Sequence, residues 1–172
     1  VIMHKLVPEM MRLFEGWNKN YGTYKLTGEV TPTGKIIGQA YSLVGQVTAE
    51  LWHDHLKGKQ GLGVIPITDQ SMVKFAAIDI DQYPLDLVEL AQLIEKNDLP
   101  LVVIRTKSGG AHLYLFLTEW CKAKLVQTQM KSMAAFLGHG GAEIFPKQVT
   151  ILAARGDVGQ WINMPYFREE ST

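Results

Sequence analysis

The chain has 172 residues, 47% of them hydrophobic and 20% charged, with 17 basic residues balancing 17 acidic ones. That size suits one domain with a real core, and zero net charge excludes a protein that grips nucleic acid by bulk charge, so any such contact needs a local basic patch. A single cysteine, Cys121, excludes an internal disulfide framework and a multi-cysteine zinc site; no apolar run nears the roughly 18 residues of a membrane helix and no secretory segment opens the chain, so a cytoplasmic location away from membranes is expected.

In chain order, Pro8 to Trp17 reads as a short amphipathic helix, with Met10, Leu13, Phe14 and Trp17 on one face. Tyr21, Tyr24 and Leu26 suggest a strand before a loop containing Pro32 and Gly34. A helix follows from Thr48, its cap, to Leu56, with Gly58 as its stop. Leu62 to Ile67 reads as a strand near a sheet edge because of Pro66. Val73 to Asp79 is the next strand and Leu85 to Lys96 the clearest helix. Leu101 to Ile104 reads as a buried strand that forms a hairpin with His112 to Leu117 across a Ser-Gly-Gly turn. Lys122 to Leu137 is helical, with Leu125, Met130, Met133 and Phe136 as expected core contacts, and Gly138 to Gly141 breaks it. Glu143 to Phe145 and Trp161 to Met164 are short final strands. This mixed order with a central hairpin predicts an α+β domain on an antiparallel sheet.

Three segments carry chemistry. In Phe75-Ala76-Ala77-Ile78-Asp79-Ile80-Asp81 an apolar strand delivers two carboxylates at positions i and i+2, which share a face. Like charges that close invite a divalent cation between them, although a capping and a solvated aspartate would give the same letters. Arg105-Thr106-Lys107-Ser108-Gly109-Gly110-Ala111-His112 combines a glycine turn, a hydroxyl and cationic side chains. That set makes an anion cradle, or, taken alone, an ordinary hairpin turn. Glu143-Ile144-Phe145-Pro146-Lys147-Gln148 places a carboxylate in a short apolar strand, with Lys147 and Gln148 able to reach phosphate, sugar or base. His53-Asp54-His55 falls on a helix, where i and i+2 diverge, so a structural or surface role is expected; His55, near Lys57 and Lys59, could also touch a template. Tyr41, Trp52, Trp120 and Trp161 could stack on bases but are read as core.

The order hhhDhD, then SGGxH entering an apolar strand, then EIFPKQ, then Gly159-Gln160-Trp161-Ile162-Asn163-Met164-Pro165-Tyr166, resembles the archaeo-eukaryotic primase superfamily, in its phage, plasmid and mobile-element branch. The resemblance covers about residues 50–167; the first fifty residues match no motif of it. It implies a single primase-polymerase domain over residues 1–172; the start at Val1 and the stop at Arg168–Thr172, just after an apolar segment, suggest that this domain is cut from a longer protein. Within it, 51–167 would be an RRM-like antiparallel-sheet catalytic core flanked by helices, and 1–50 a small N-terminal α/β region. It implies a DNA primase or primase-polymerase that joins nucleoside triphosphates on single-stranded DNA through two Mg²⁺ or Mn²⁺ ions.

Carried over by position, Asp79 and Asp81 would be metal ligands, Ser108 and His112 would hold the incoming triphosphate, and Glu143 would be the third acid, with Asp157 as the other acid in reach. Arg105, Lys107, Gly109, Gly110, Lys147 and Gln148 would be further nucleotide contacts. A helicase or primase C-terminal domain would accompany it in the full-length protein. Two other classes remain open: a module that binds nucleotides or single strands without polymerising, and a metal-dependent nicking nuclease.

Overall fold

A computed structural model describes residues 1–34 and 36–169; the chain end at 170–172 lies outside the described residues. The fold is α+β, with two four-stranded antiparallel sheets and four α-helices among those residues. The elements are α1 (Val7–Leu13), β1 (Asn20–Val30), β2 (Ile36–Val44), α2 (Ala49–Leu56), β3 (Gly63–Val64), β4 (Met72–Ile80), α3 (Leu87–Lys96), β5 (Val102–Arg105), β6 (Ala111–Lys122), α4 (Ala123–Phe136), β7 (Glu143–Phe145) and β8 (Ile162–Asn163). Among the described residues no helix is long and apolar enough to cross a membrane.

The strand β4 organises the molecule. It lies inside a sheet of order β5-β6-β4-β7 and is covered on both faces, which is why it reads as an almost continuous apolar run. Ala76, Ile78 and Ile80 enter a core shared with Leu90 and Ile94 of α3 and Val126, Met130 and Ala134 of α4. Phe75 and Ala77 enter a second core with Phe14, Trp52, Tyr114, Phe145 and Ile162. Phe14 fixes that second core, meeting Phe75, Tyr114 and Phe116 edge-on at 5.1–5.4 Å between ring centroids. Because side chains alternate, Asp79 and Asp81 continue the Phe75–Ala77 face beyond its apolar cover. The helices begin as their sequences require: Thr48 accepts from the Leu51 N–H at 3.3 Å and Asp86 from the Glu89 N–H at 2.9 Å.

Five features differ from the sequence expectation. The segment around Pro32 and Gly34 is the tip of a long hairpin, β1–β2, whose second strand carries no apolar alternation to reveal it. In the order β2-β1-β3-β8, β3 is an inner strand, so Pro66 marks its end and not an edge. Instead β5 is an edge strand, with Val102 48% exposed. On α4, Leu125 and Phe136 face solvent; the buried stripe is Ala123, Val126, Met130 and Ala134, the side turned to β4. Of the four aromatics read as core, Trp52 is fully buried and Trp161 half-buried, whereas Tyr41 and Trp120 are exposed.

Candidate active site

Strand register builds the site. Asp79 lies directly opposite His112 on β6 and directly opposite Glu143 on β7. Cross-strand partners share a face and stand about 5 Å apart. The central carboxylate is thus flanked by an imidazole on one side and a second carboxylate on the other, with Asp81 just past the end of the strand. The turn that leads into β6 is forced by glycine. Gly109 has φ +92°, and a Cβ on Gly110 would come within 2.3 Å of the Ile80 carbonyl oxygen, so only glycine lets the turn close on the end of β4.

Each carboxylate has its own partner. Asp79 Oδ1 is 3.4 Å from His112 Nε2. Asp81 accepts from the Tyr83 hydroxyl, which is also bonded to Ser108 Oγ at 2.6 Å. Glu143 Oε1 is 3.1 Å from Lys147 Nζ, and that ammonium also sits over the Phe145 ring. In consequence, among the described residues no three His, Cys, Asp or Glu side chains are gathered tightly enough to hold a metal ion as they stand. The backbone brings the three carboxylates side by side, and their side chains are turned to separate neighbours.

Two tyrosines that the sequence reading passed over complete the arrangement. Tyr114, two residues after His112 and on the same face, bonds His112 Nδ1 at 3.0 Å and donates to the Asn163 carbonyl at 3.4 Å. Burial, and then the charge of Asp79, push its phenol well above the ordinary tyrosine range, so it remains a proton donor. Tyr83 is exposed and bridges the Asp81 carboxylate to the turn hydroxyl; its phenol is also held above the usual range, chiefly by the bond to Asp81. Tyr114 lies two residues beyond His112 on the same strand alternation, and that is the signal that could have found it; Tyr83 lies past the end of β4, where no alternation points to it.

The other expected contacts divide. Ser108 and Lys147 join the carboxylate group as described. Lys107 lies on the Phe167 ring, its ammonium 4.4 Å from the centroid. The Gly109 N–H is engaged inside the turn by the Thr106 carbonyl at 3.0 Å. Arg105 pairs with Ala111, one position out of step with His112, so it shares the opposite face and lines an open groove of about 870 Å³ against α3. The buried Gln148 Oε1 lies beside Gly159, with no hydrogen-bond partner among the described residues. Asp157 is held in its own loop by the Leu152 N–H at 3.0 Å and by Arg155, which keep its carboxyl below the usual range. Of the two acids considered for the third place, Glu143 is the one set beside Asp79. His55 is buried, so it offers a template no surface.

The family model for the archaeo-eukaryotic primase domain of the TOTE conflict system matches residues 23–172. The chain belongs to this family. The family domain begins within β1, so it takes in the hairpin that the motif resemblance had left out. A comparison with curated proteins returned no match. Membership makes this a domain of primase, nucleotidyltransferase type, a class that works on nucleotides and nucleic acid.

Proposed function

We propose that this domain is a template-dependent nucleotidyltransferase that joins nucleoside triphosphates on single-stranded DNA. The observation that carries the reading is the register placing Asp79 between His112 and Glu143, with Asp81 next on the same face. The donor set fits hard divalent cations, since it consists of carboxylate oxygens with no thiolate. Adjacent-strand spacing also leaves the three carboxylates within reach of a shared site by rotation of their own side chains. Asp79, Asp81 and Glu143 would hold the metal. When bound, Mg²⁺ or Mn²⁺ would activate a 3′-hydroxyl and neutralise the departing pyrophosphate.

The protein's own groups do the positioning. His112, anchored at Nδ1 by Tyr114, presents Nε2 to the carboxylate side of the sheet, within reach of a phosphate oxygen bound there. Ser108 and Lys147 lie on either side of that point and supply a hydroxyl and a charge. A hydrogen bond from Tyr83 to Asp81 and the Lys147 charge beside Glu143 also stabilise the carboxylates, which limits the repulsion of three clustered acids.

Two measurements follow. Incubation with single-stranded template, labelled nucleotides and Mn²⁺ is expected to give template-dependent product; metal-dependent nucleotide binding without product would reduce the domain to a binding module. Tyr83→Phe removes the hydroxyl that competes for Asp81, so Mn²⁺ binding followed by electron paramagnetic resonance should tighten severalfold. An unchanged affinity would show that the Tyr83–Asp81 bond does not oppose metal binding.

A further inference from the structure

Most of the hairpin β1–β2 is uncovered by the rest of the fold. Beyond Thr23, every residue of β2 whose burial is described is exposed except the half-buried Gly38. Pairing of Thr23 with Tyr41 and of Lys25 with Gln39 puts Tyr41, Gln39, Lys25 and Ile37 on one face. There the Lys25 ammonium stands 5.9 Å from the Tyr41 ring centroid, and the Tyr41 hydroxyl donates to Gln39 at 2.7 Å. Tyr41 and Ile37 are each 38% exposed.

This face is directed. It continues the side on which Val64 and Ile162 pack against Phe75, Tyr114 and Phe145 of the catalytic sheet. The root of the hairpin is joined to the Ser108 turn by successive contacts. Thr23 Oγ1 donates to the Gly61 carbonyl at 2.7 Å, the Met164 N–H donates to Leu62, and Pro165 bonds His55. His55 stacks edge-on against Phe167, which carries Lys107.

From this geometry we infer that the Lys25–Gln39–Tyr41 face of the hairpin is a single-stranded nucleic-acid surface that delivers a strand to the catalytic sheet. The inference rests on the nucleotidyltransferase reading for its occupant. An exposed ring with a cation over it and an amide beside it suits a base, its phosphate and its edge, and base–aromatic stacking tolerates any sequence. Charge points the same way: the hairpin sequence, residues 20–44, holds Lys25 and Lys35 against Glu29 alone, in a chain of zero net charge. A buried-core role does not account for Tyr41, because more than a third of it is exposed and it belongs to neither core.

The test measures binding without metal or nucleotide. Tyr41→Ala with Lys25→Ala should weaken binding of fluorescent oligodeoxythymidylate, read by anisotropy, by roughly tenfold or more. Tyr41→Leu, which keeps apolar contact and removes the ring, should show most of that loss at an unchanged circular-dichroism spectrum and melting temperature. Oligonucleotide affinity equal to wild type in both variants overturns the inference. So does unchanged affinity combined with a dimer that the variants convert to monomer, since the face would then be an interface between copies. Wild-type protein that binds strands through the hairpin but makes no product defeats the polymerase reading and leaves this surface standing. Normal synthesis with unaltered strand binding in the variants defeats the surface alone.

Discussion

Replacing Asp79 and Asp81 together by alanine is expected to lower nucleotidyl transfer by at least about a thousandfold and to abolish Mn²⁺ binding, with the fold intact. The two side chains supply most of the oxygen donors on the Phe75–Ala77 face, and Glu143 alone cannot hold a hard cation that needs six or more ligands. Stability should barely move, because neither aspartate belongs to a core. The Asp79 side chain is 28% exposed and Asp81 faces solvent. Their partners, His112 and Tyr83, keep Tyr114 and Ser108 as hydrogen-bond neighbours. Relief of repulsion among three carboxylates also offsets the lost polar contacts. Product formation should be followed on a primed template, with metal binding followed separately by electron paramagnetic resonance. Synthesis at near wild-type rate in the double variant would remove the catalytic role from these residues. Lost Mn²⁺ binding with a large drop in melting temperature would instead mean that the pair is structural.

The parts of this site that the sequence displays are those enforced by one strand. Asp79 and Asp81 sit at the end of an apolar run because β4 is buried on both faces until that point, and the i, i+2 spacing alone puts them on one side. The alignment of His112 and Glu143 with Asp79 depends on pairing register, which motif order suggests and only three dimensions fix. Arg105 shows the cost of lacking it. A basic residue three positions before Ser108 looks like a phosphate contact, yet the pairing with Ala111 turns it to the α3 side. The second strand of the hairpin is invisible for a different reason. Gln39, Ala40, Tyr41 and Ser42 are all exposed, so no buried face imposes a period of two. On α4 the apolar Leu125 and Phe136 mislead because small residues, Ala123 and Ala134, take the buried stripe where the helix lies close to β4. The bridge from Asp81 through Tyr83 to Ser108 joins segments 25 residues apart and leaves no local trace.

His55 should make the fold acid-sensitive in a defined window. Its ring is 2% exposed and both nitrogens are engaged: Nδ1 accepts from the Leu62 N–H at 3.0 Å, and Nε2 donates to the Pro165 carbonyl at 2.8 Å. That pattern requires the neutral imidazole, since a proton on Nδ1 would break the bond to Leu62. Burial pushes the group down from an ordinary 6.5 to about 4; the Pro165 carbonyl acts against the shift and the Lys107 ammonium adds to it. Between those two values the unfolded chain takes up a proton that the fold refuses. The stabilisation is therefore complete above about pH 6.5 and falls as pH drops toward 4, by roughly 3 kcal/mol in all. Urea unfolding at a series of pH values should show this fall in the wild type, and His55→Gln should flatten it by close to one proton. An equal slope in the variant would assign the proton uptake to another group. The position of the ring gives the effect a functional side. His55 ties the 61–62 segment, next to the root of the hairpin, to the 165–167 segment that carries Lys107. Acidification should therefore loosen the join between the hairpin and the β5-β6-β4-β7 sheet before it unfolds the β4 core, so strand binding should decline at a higher pH than the β-sheet circular-dichroism signal does.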